Sequence, residues 1–296
     1  EYLLNEIKKQ EKPRGFSEAL KKSVKYNQLA LIAELKKSSP SKGIIRKDFS
    51  PKKIAQAYQS GGASCLSVLT ENKWFKGKIR DLIEAKKSSS LPILRKDFIL
   101  DPWQVLESRS IGADCILIIL AAVNDKTANE LIKVSKDLNM DILVEAHDEK
   151  ELDRAIKLDP DLIGINNRNL NTLSVDIETT IKLSRKVPNK YDIVCESGIE
   201  TNADLNRVFK KIYSFSDSDG KEKINEYFDS DHFLNENLFR EYLSYLPSPL
   251  PENSLTTKFP NLVNEWDYEK NHPLIPDQFS GGSNNKVWWL CPKGHS

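Results

Sequence analysis

The sequence predicts an α/β protein, a (β/α)8 or TIM barrel lacking a recognisable eighth strand, followed by a small irregular C-terminal segment. Three observations predict it. Short apolar runs recur about every 25 to 30 residues between positions 29 and 197. The stretches between them have helical spacing, several opening on Ser, Asp or Asn at an N-cap position. No Gly-rich dinucleotide turn follows the first run, and the runs are near-continuously apolar, which favours a barrel over a doubly wound open sheet.

Taken in order, residues 1–28 read as one or two helices broken at Pro13, Arg14 and Gly15. Seven strand runs follow: LALIAEL (29–35), SCLSVLT (64–70), LPILRKDF (91–98), DCILIIL (114–120), MDILVEA (140–146), DLIGINN (161–167) and YDIVCES (191–197). The crossover helices include SPKKIAQAYQSGGA, DPWQVLESRSIGA, NDKTANELIKVSKDLN, DEKELDRAIKLD and DIETTIKLSRKVP. After about residue 208 the rhythm stops, and IYSF is the only short candidate for an eighth strand before Ser and Asp intervene. Polar helices over 221–246 and the Pro-rich PSPLPENS precede a tail that ends VWWLCPKGHS. The expected division is N-terminal lid helices over 1–28, a catalytic barrel of seven βα units over 29–208, a helical linker over 209–250 and a tail over 251–296.

With 44 Lys+Arg against 43 Asp+Glu the net charge is +1, which argues against nucleic acid or an anionic membrane as the barrel's partner. No apolar run approaches the roughly 18 residues of a membrane span, and the first 30 residues lack the apolar core of a signal peptide. A cytoplasmic protein is expected. Cys65, Cys115 and Cys195 sit inside apolar runs as free thiols, with no pattern of a disulfide framework. The sequence opens on Glu1 rather than Met and breaks off inside a motif, as a fragment would.

In a barrel, alternate side chains face inward, and those at the carboxyl ends of the strands surround the mouth. Ile32, Glu34 and Lys36 share one parity, as do Leu94, Lys96 and Phe98; Leu143 and Glu145; Gly164 and Asn166; and Val194 and Glu196. One strand ending in a charge is an ordinary solvated end. Five strands turning polar on the same face converge three carboxylates and two ammonium groups, for which a packed core has no use. Such a set suits proton transfer on a carbonyl compound, partial desolvation allowing a lysine to lose its proton near neutral pH. KKSSPSKG after the first strand and Ser197 and Gly198 after the seventh, ahead of a helix capped near Thr201 or Asn202, offer anion-gripping backbone; Arg168 adds a fixed positive charge.

ELKKSSPSKG, LRKDF, GADCILII, LVEAHDEKEL, GINNRNL and ESGI, in this order and spacing, resemble the indole-3-glycerol phosphate synthase family of tryptophan biosynthesis over about residues 14–208. The resemblance implies a barrel that closes and decarboxylates 1-(2-carboxyphenylamino)-1-deoxyribulose 5-phosphate, a small phosphorylated substrate, without cofactor or metal. It implies Lys96 as general acid, Lys36 on the substrate carboxylate and assisting proton transfer, Glu34 with Asn166 on the ribulose hydroxyls and in the later dehydration, and Glu145 as acid or base of the closing steps. Glu196 would hold amine or hydroxyl groups, Ser39, Ser197 and Gly198 the phosphate, Arg168 the Asn166 region, and Phe98 the aromatic ring. Residues of about 3–26 would form a lid over the pocket. The family's Gly-rich eighth strand and loop are missing here, leaving open edges and half a phosphate grip.

The tail FPNLVNEWDYEKNHPLIPDQFSGGSNNKVWWLCPKGHS resembles the first half of a zinc-ribbon domain. Cys291 and His295 supply two ligands where a structural zinc needs four, so metal binding by this chain alone is not expected. Trp288 and Trp289 read as core or interface aromatics rather than a base-stacking platform. The partner of the tail is open, and a non-catalytic barrel with a nucleic-acid or protein binding tail is the alternative to an enzyme. Another phosphate-binding barrel, phosphoribosyl anthranilate isomerase, fits less well because its chemistry uses an Asp and Cys pair.

Overall fold

The computed structural model describes residues 1–25, 30–199, 204, 207–208, 254–272, 274–280 and 287–290. Within them the apolar runs form parallel strands β1 (Ile32–Leu35), β4 (Cys65–Leu69), β5 (Ile93–Lys96), β6 (Cys115–Ile119), β7 (Asp141–Ala146), β8 (Leu162–Asn166) and β9 (Asp192–Glu196). These hydrogen-bond in sequence order into one seven-stranded sheet, with a hairpin of β2 (Ser38–Ser39) and β3 (Gly43–Ile44) on the loop after β1. Among the described residues β1 and β9 are the two ends of that sheet. The IYSF segment lies outside the described residues, as do Thr201 and Asn202.

Crossover helices α3 (Pro51–Ser60), α4 (Ile79–Ser88), α5 (Pro102–Ser110), α6 (Asp125–Asp137), α7 (Glu149–Leu158) and α8 (Glu178–Ser184) alternate with the strands. Side chains of Ser50, Asp101, Asn124 and Asp148 accept main-chain N–H groups of the first turns of α3, α5, α6 and α7, as the N-cap pattern predicts. Each such cap stabilises its helix by about 1 kcal/mol.

Parity separates two apolar layers. Leu66, Val68, Ile116, Ile118, Ile142, Val144, Ile163 and Ile165 face outward and bury the helices' apolar stripes. Cys65, Leu94, Cys115, Leu117, Leu143 and Leu162 face inward, where Phe16 and Leu20 complete the cluster. A sheet apolar on both faces is what continuous rather than alternating hydrophobicity encodes.

The N-terminal helices α1 (Tyr2–Lys8) and α2 (Phe16–Lys25) exist where the sequence places them, but not as a lid. The Arg14 N–H donates to Asp114 Oδ1 at 2.8 Å and the Ser17 N–H to Asp141 Oδ2 at 3.0 Å. Ser23 Oγ meets Ser64 Oγ at 2.8 Å, and Lys21 pairs with Asp192 at 3.5 Å. Asp114, Asp141, Ser64 and Asp192 all stand at the amino ends of their strands. Helix α2 therefore plugs the bottom of the sheet, opposite the mouth. The driving force is Phe16, whose side chain is fully buried against Cys65, Leu94 and Cys115.

In the tail, α9 (Leu255–Lys258) and α10 (Pro260–Val263) adjoin a small cluster of Leu255, Trp266, Leu274 and Phe279. Trp289 meets the Trp266 ring edge-on at 5.5 Å, in keeping with a core or interface aromatic. Cys291 and His295 lie outside the described residues. Among the described residues no helix is long and apolar enough to cross a membrane, and no three His, Cys, Asp or Glu side chains gather as a metal site.

Candidate active site

The polar ends of the inner face meet. Lys96 Nζ, on β5, lies 3.0 Å from Glu34 Oε2 on β1 and 3.4 Å from Glu196 Oε2 on β9. Lys36 Nζ reaches Glu34 Oε1 at 2.5 Å. Glu145, on β7, lies 3.1 Å from His147 Nε2 and stands beside Gly164, whose space the Glu196 carboxyl fills. Strands 1, 3, 5 and 7 of the sheet thus contribute one continuous chain of charge, Lys36–Glu34–Lys96–Glu196–Glu145–His147. Strand register explains the convergence: Glu145 stands beside Gly164, and Asn166 beside Glu196.

Gly164 provides space. A Cβ there would lie 2.3 Å from Glu196 Oε1, so the carboxyl occupies the volume that any other residue would fill. That oxygen is buried without a hydrogen-bond partner, as is Ser67 Oγ on the same inner face.

The charges fall unequally on these groups. Burial alone would raise Glu34, but Lys96 and Lys36 outweigh it and hold its pKa at about 2. Burial would lower Lys96, yet Glu34, Glu196 and Glu145 raise it above the ordinary lysine value. The surrounding carboxylates hold Lys96 as an ammonium, the form a general acid needs. Burial, and next the Glu145 charge, push Glu196 up to about 8 against the opposing pull of Lys96. In Glu145 burial acts upward, but the nearby His147 and the Lys96 charge bring it below the ordinary value. The split between acid and base runs through the carboxyl pair, where like groups share a site.

Other expected site residues occupy the surrounding loops. Asn166 is nearly buried, and its Oδ1 accepts the Arg168 N–H at 3.0 Å, so Arg168 braces Asn166 through the backbone. The Arg168 guanidinium donates to Leu173 O and closes its own loop. Ser39 Oγ accepts the Lys42 N–H at 3.1 Å on the hairpin loop, and Phe98 is exposed after β5. Ser197 and Gly198 both have positive φ, and a Cβ on Gly198 would meet Val175 Cγ1 at 2.4 Å. Asn167, which the sequence reading does not single out, holds that turn: its Nδ2 donates to Ser197 O at 2.9 Å and its Oδ1 accepts from Thr180. His147 and Glu151 are likewise unforeseen. The only signal for them is a His two residues beyond Glu145 and a Glu at the third position after the Asp148 cap.

A family model described as "Indole-3-glycerol phosphate synthase" matches residues 1–215. The chain belongs to the indole-3-glycerol phosphate synthase family. That is a family of lyase-type enzymes of tryptophan biosynthesis, and the seven-stranded sheet of the described residues carries its Lys96-centred cluster. A second model, described as "Probable Treble clef zinc finger domain", matches residues 262–296, where the truncated zinc-binding piece is expected. Among solved structures, similarity extends to an N-acetylmannosamine-6-phosphate 2-epimerase from Clostridium perfringens, at 17% identity and a TM-score of 0.48, covering 62% of this chain and 82% of that one. The YdjI aldolase from Escherichia coli K12 matches at 10% identity and a TM-score of 0.45, covering 74% of this chain and 92% of that one. The 2-keto-3-deoxy-6-phosphogluconate aldolase of Zymomonas mobilis ZM4 matches at 12% identity and a TM-score of 0.41, covering 64% and 78%.

Proposed function

We propose that this chain converts 1-(2-carboxyphenylamino)-1-deoxyribulose 5-phosphate to indole-3-glycerol phosphate, releasing CO2 and water. The observation that carries the reading is a partly buried ammonium, Lys96, held between Glu34 and Glu196 at the strand ends of a member of this family. Lys96 donates its proton to the ketone oxygen as the aromatic ring carbon attacks the carbonyl carbon, forming the new C–C bond. Loss of the carboxylate as CO2 leaves its electron pair in the ring. The hydroxyl left by the ketone then departs as water, with Glu196 as proton donor and Glu145 as proton acceptor completing the indole. General acid–base steps of this kind are each worth about 10² to 10⁴ in rate.

Lys36 binds the substrate carboxylate, Glu34 and Asn166 hold ribulose hydroxyls, and Phe98 packs on the aromatic ring. The phosphate is gripped by Ser39, Ser197 and Gly198, with Arg168 bracing the Asn166 loop. Four segments are proposed: 1–28, here a bottom plug; the barrel of 29–208; a linker over 209–250; and the tail of 251–296. A cytoplasmic location fits a biosynthetic lyase. The test is incubation of the full chain with the carboxyphenylamino substrate, following indole fluorescence. A rising signal supports the reading, and folded protein that gives none overturns it in favour of a non-catalytic barrel.

A further inference from the structure

His147 stands beyond the end of β7, wedged between two carboxylates and only 11% exposed at its side chain. Its Nδ1 hydrogen-bonds Glu151 Oε2 at 2.9 Å, while its buried Nε2 lies at ion-pair distance, 3.1 Å, from Glu145 Oε1 without the alignment of a hydrogen bond. The same Glu151 oxygen accepts the His147 main-chain N–H at 2.9 Å. Glu151 is itself fixed, because Asp148 Oδ1 caps its N–H at 2.9 Å at the start of α7. An oxygen already accepting one N–H, facing a ring nitrogen, calls for a second hydrogen on that nitrogen. With Glu145 ionised the other side of the ring calls for one too. A ring hydrogen-bonded to one carboxylate at Nδ1, with a second carboxylate 3.1 Å from Nε2, favours the imidazolium.

On its far side Glu145 stands beside Gly164, whose space the Glu196 carboxyl fills, and two carboxyl groups brought that close are best accommodated when one carries a proton. The charged groups facing this pair are His147 from the β7–α7 loop and Lys96 from β5, with Glu34 of β1 behind Lys96. Lys96 acts on both carboxyls. His147 touches Glu145, and so breaks the tie between them.

We propose that His147 is a positioning residue: its imidazolium, anchored by Glu151, keeps Glu145 ionised and so fixes the shared proton on Glu196, making Glu196 the acid and Glu145 the base. The direction of the shifts agrees. Burial would lower His147, but the nearby Glu145 and Glu151 raise it to about 9, while Glu196 is pushed up to about 8 and Glu145 is brought down. The catalytic consequence rests on the synthase reading proposed above; the protonation pattern does not.

The experiment therefore has two arms. Nitrogen NMR of the full chain, which has four histidines, assigns His147 by comparison with His147→Gln. Both ring nitrogens should carry protons at pH 7, and infrared spectra should contain a protonated-carboxyl band that Glu196→Gln removes. In the double variant His147→Gln/Glu196→Gln the band should return, the proton having moved to Glu145. In turnover, His147→Gln should shift the acid limb of the kcat–pH profile upward by about one unit, a loss of about tenfold on that limb. KM should stay within about twofold, because the substrate contacts are untouched. A neutral ring at pH 7, or a band that survives Glu196→Gln alone, overturns the proposal. If the spectra hold and no indole forms, only the synthase reading fails.

Discussion

Gly164→Ala is the most specific perturbation the inner face offers. Its φ is not in the left-handed region, so the backbone accepts alanine, and the whole effect comes from the new methyl group. That methyl would meet Glu196 Oε1 at 2.3 Å, Glu196 Cδ at 3.4 Å and Leu143 Cδ1 at 3.3 Å. The oxygen must retreat by about 1 Å to reach ordinary van der Waals contact, and a misplacement of that size costs about 100-fold in rate. Overpacking by one methyl adds a stability cost of about 1 to 3 kcal/mol. The assay is steady-state kinetics by indole fluorescence beside a thermal melt, with rates compared well below the variant's Tm. The expected outcome is kcat down by about two orders of magnitude, with KM changed far less. A variant that turns over within threefold of the parent would refute the claim that the Glu196 carboxyl works from that position.

The remaining expectations follow from packing and charge. Phe16→Ala empties the bottom plug and should cost about 3 to 5 kcal/mol in unfolding experiments; an altered KM in the folded variant would instead indicate a lid. Asp114 is fully buried, with Lys86 Nζ at 2.5 Å and the Arg14 and Ile93 N–H groups each at 2.8 Å. Asp114→Ala strands the Lys86 charge and should destabilise by about 3 to 5 kcal/mol; a loss under 1 kcal/mol would count against that network. Glu196 and His147 have raised pKa values, about 8 and about 9, so the folded state keeps protons that the unfolded chain releases. Their stabilisation is complete below the unfolded values, about 4.3 and about 6.5, and is lost as pH rises through the folded ones. Calorimetric Tm should fall from pH 5 to 9, and Glu196→Gln should flatten the part below pH 8; an unchanged slope would contradict the raised Glu196. Glu34 acts oppositely: its stabilisation is present above the usual carboxylate value and lost as pH falls through about 2.

Much of the scaffold is legible in the sequence because a two-residue period is enough to say which side chains look inward. That period alone brings Glu34, Lys96, Glu145 and Glu196 to one end of the sheet, and neighbouring strands then bring them into contact. The break at Pro13, Arg14 and Gly15 marks where the N-terminal helices divide but does not tell at which end of the sheet they bury. That choice is made by main-chain donors at Arg14 and Ser17 meeting carboxylates of Asp114 and Asp141, a pairing across about a hundred residues that no local pattern carries. His147 escaped because it lies past the strand end, where loop geometry replaces parity. Gly164 was visible as a gap in a strand, but that Glu196 fills the gap depends on a neighbouring strand's register.

The central claim is that Lys96 delivers the proton for a decarboxylative ring closure. The most direct measurement supplies substrate labelled at the ring carboxyl and counts labelled CO2 against indole formed, for the parent chain and for Lys96→Ala. The account predicts one CO2 per indole from the parent, and a loss of at least about 100-fold in both products from the folded variant. Equal turnover by Lys96→Ala, or indole formed without matching CO2, would contradict it.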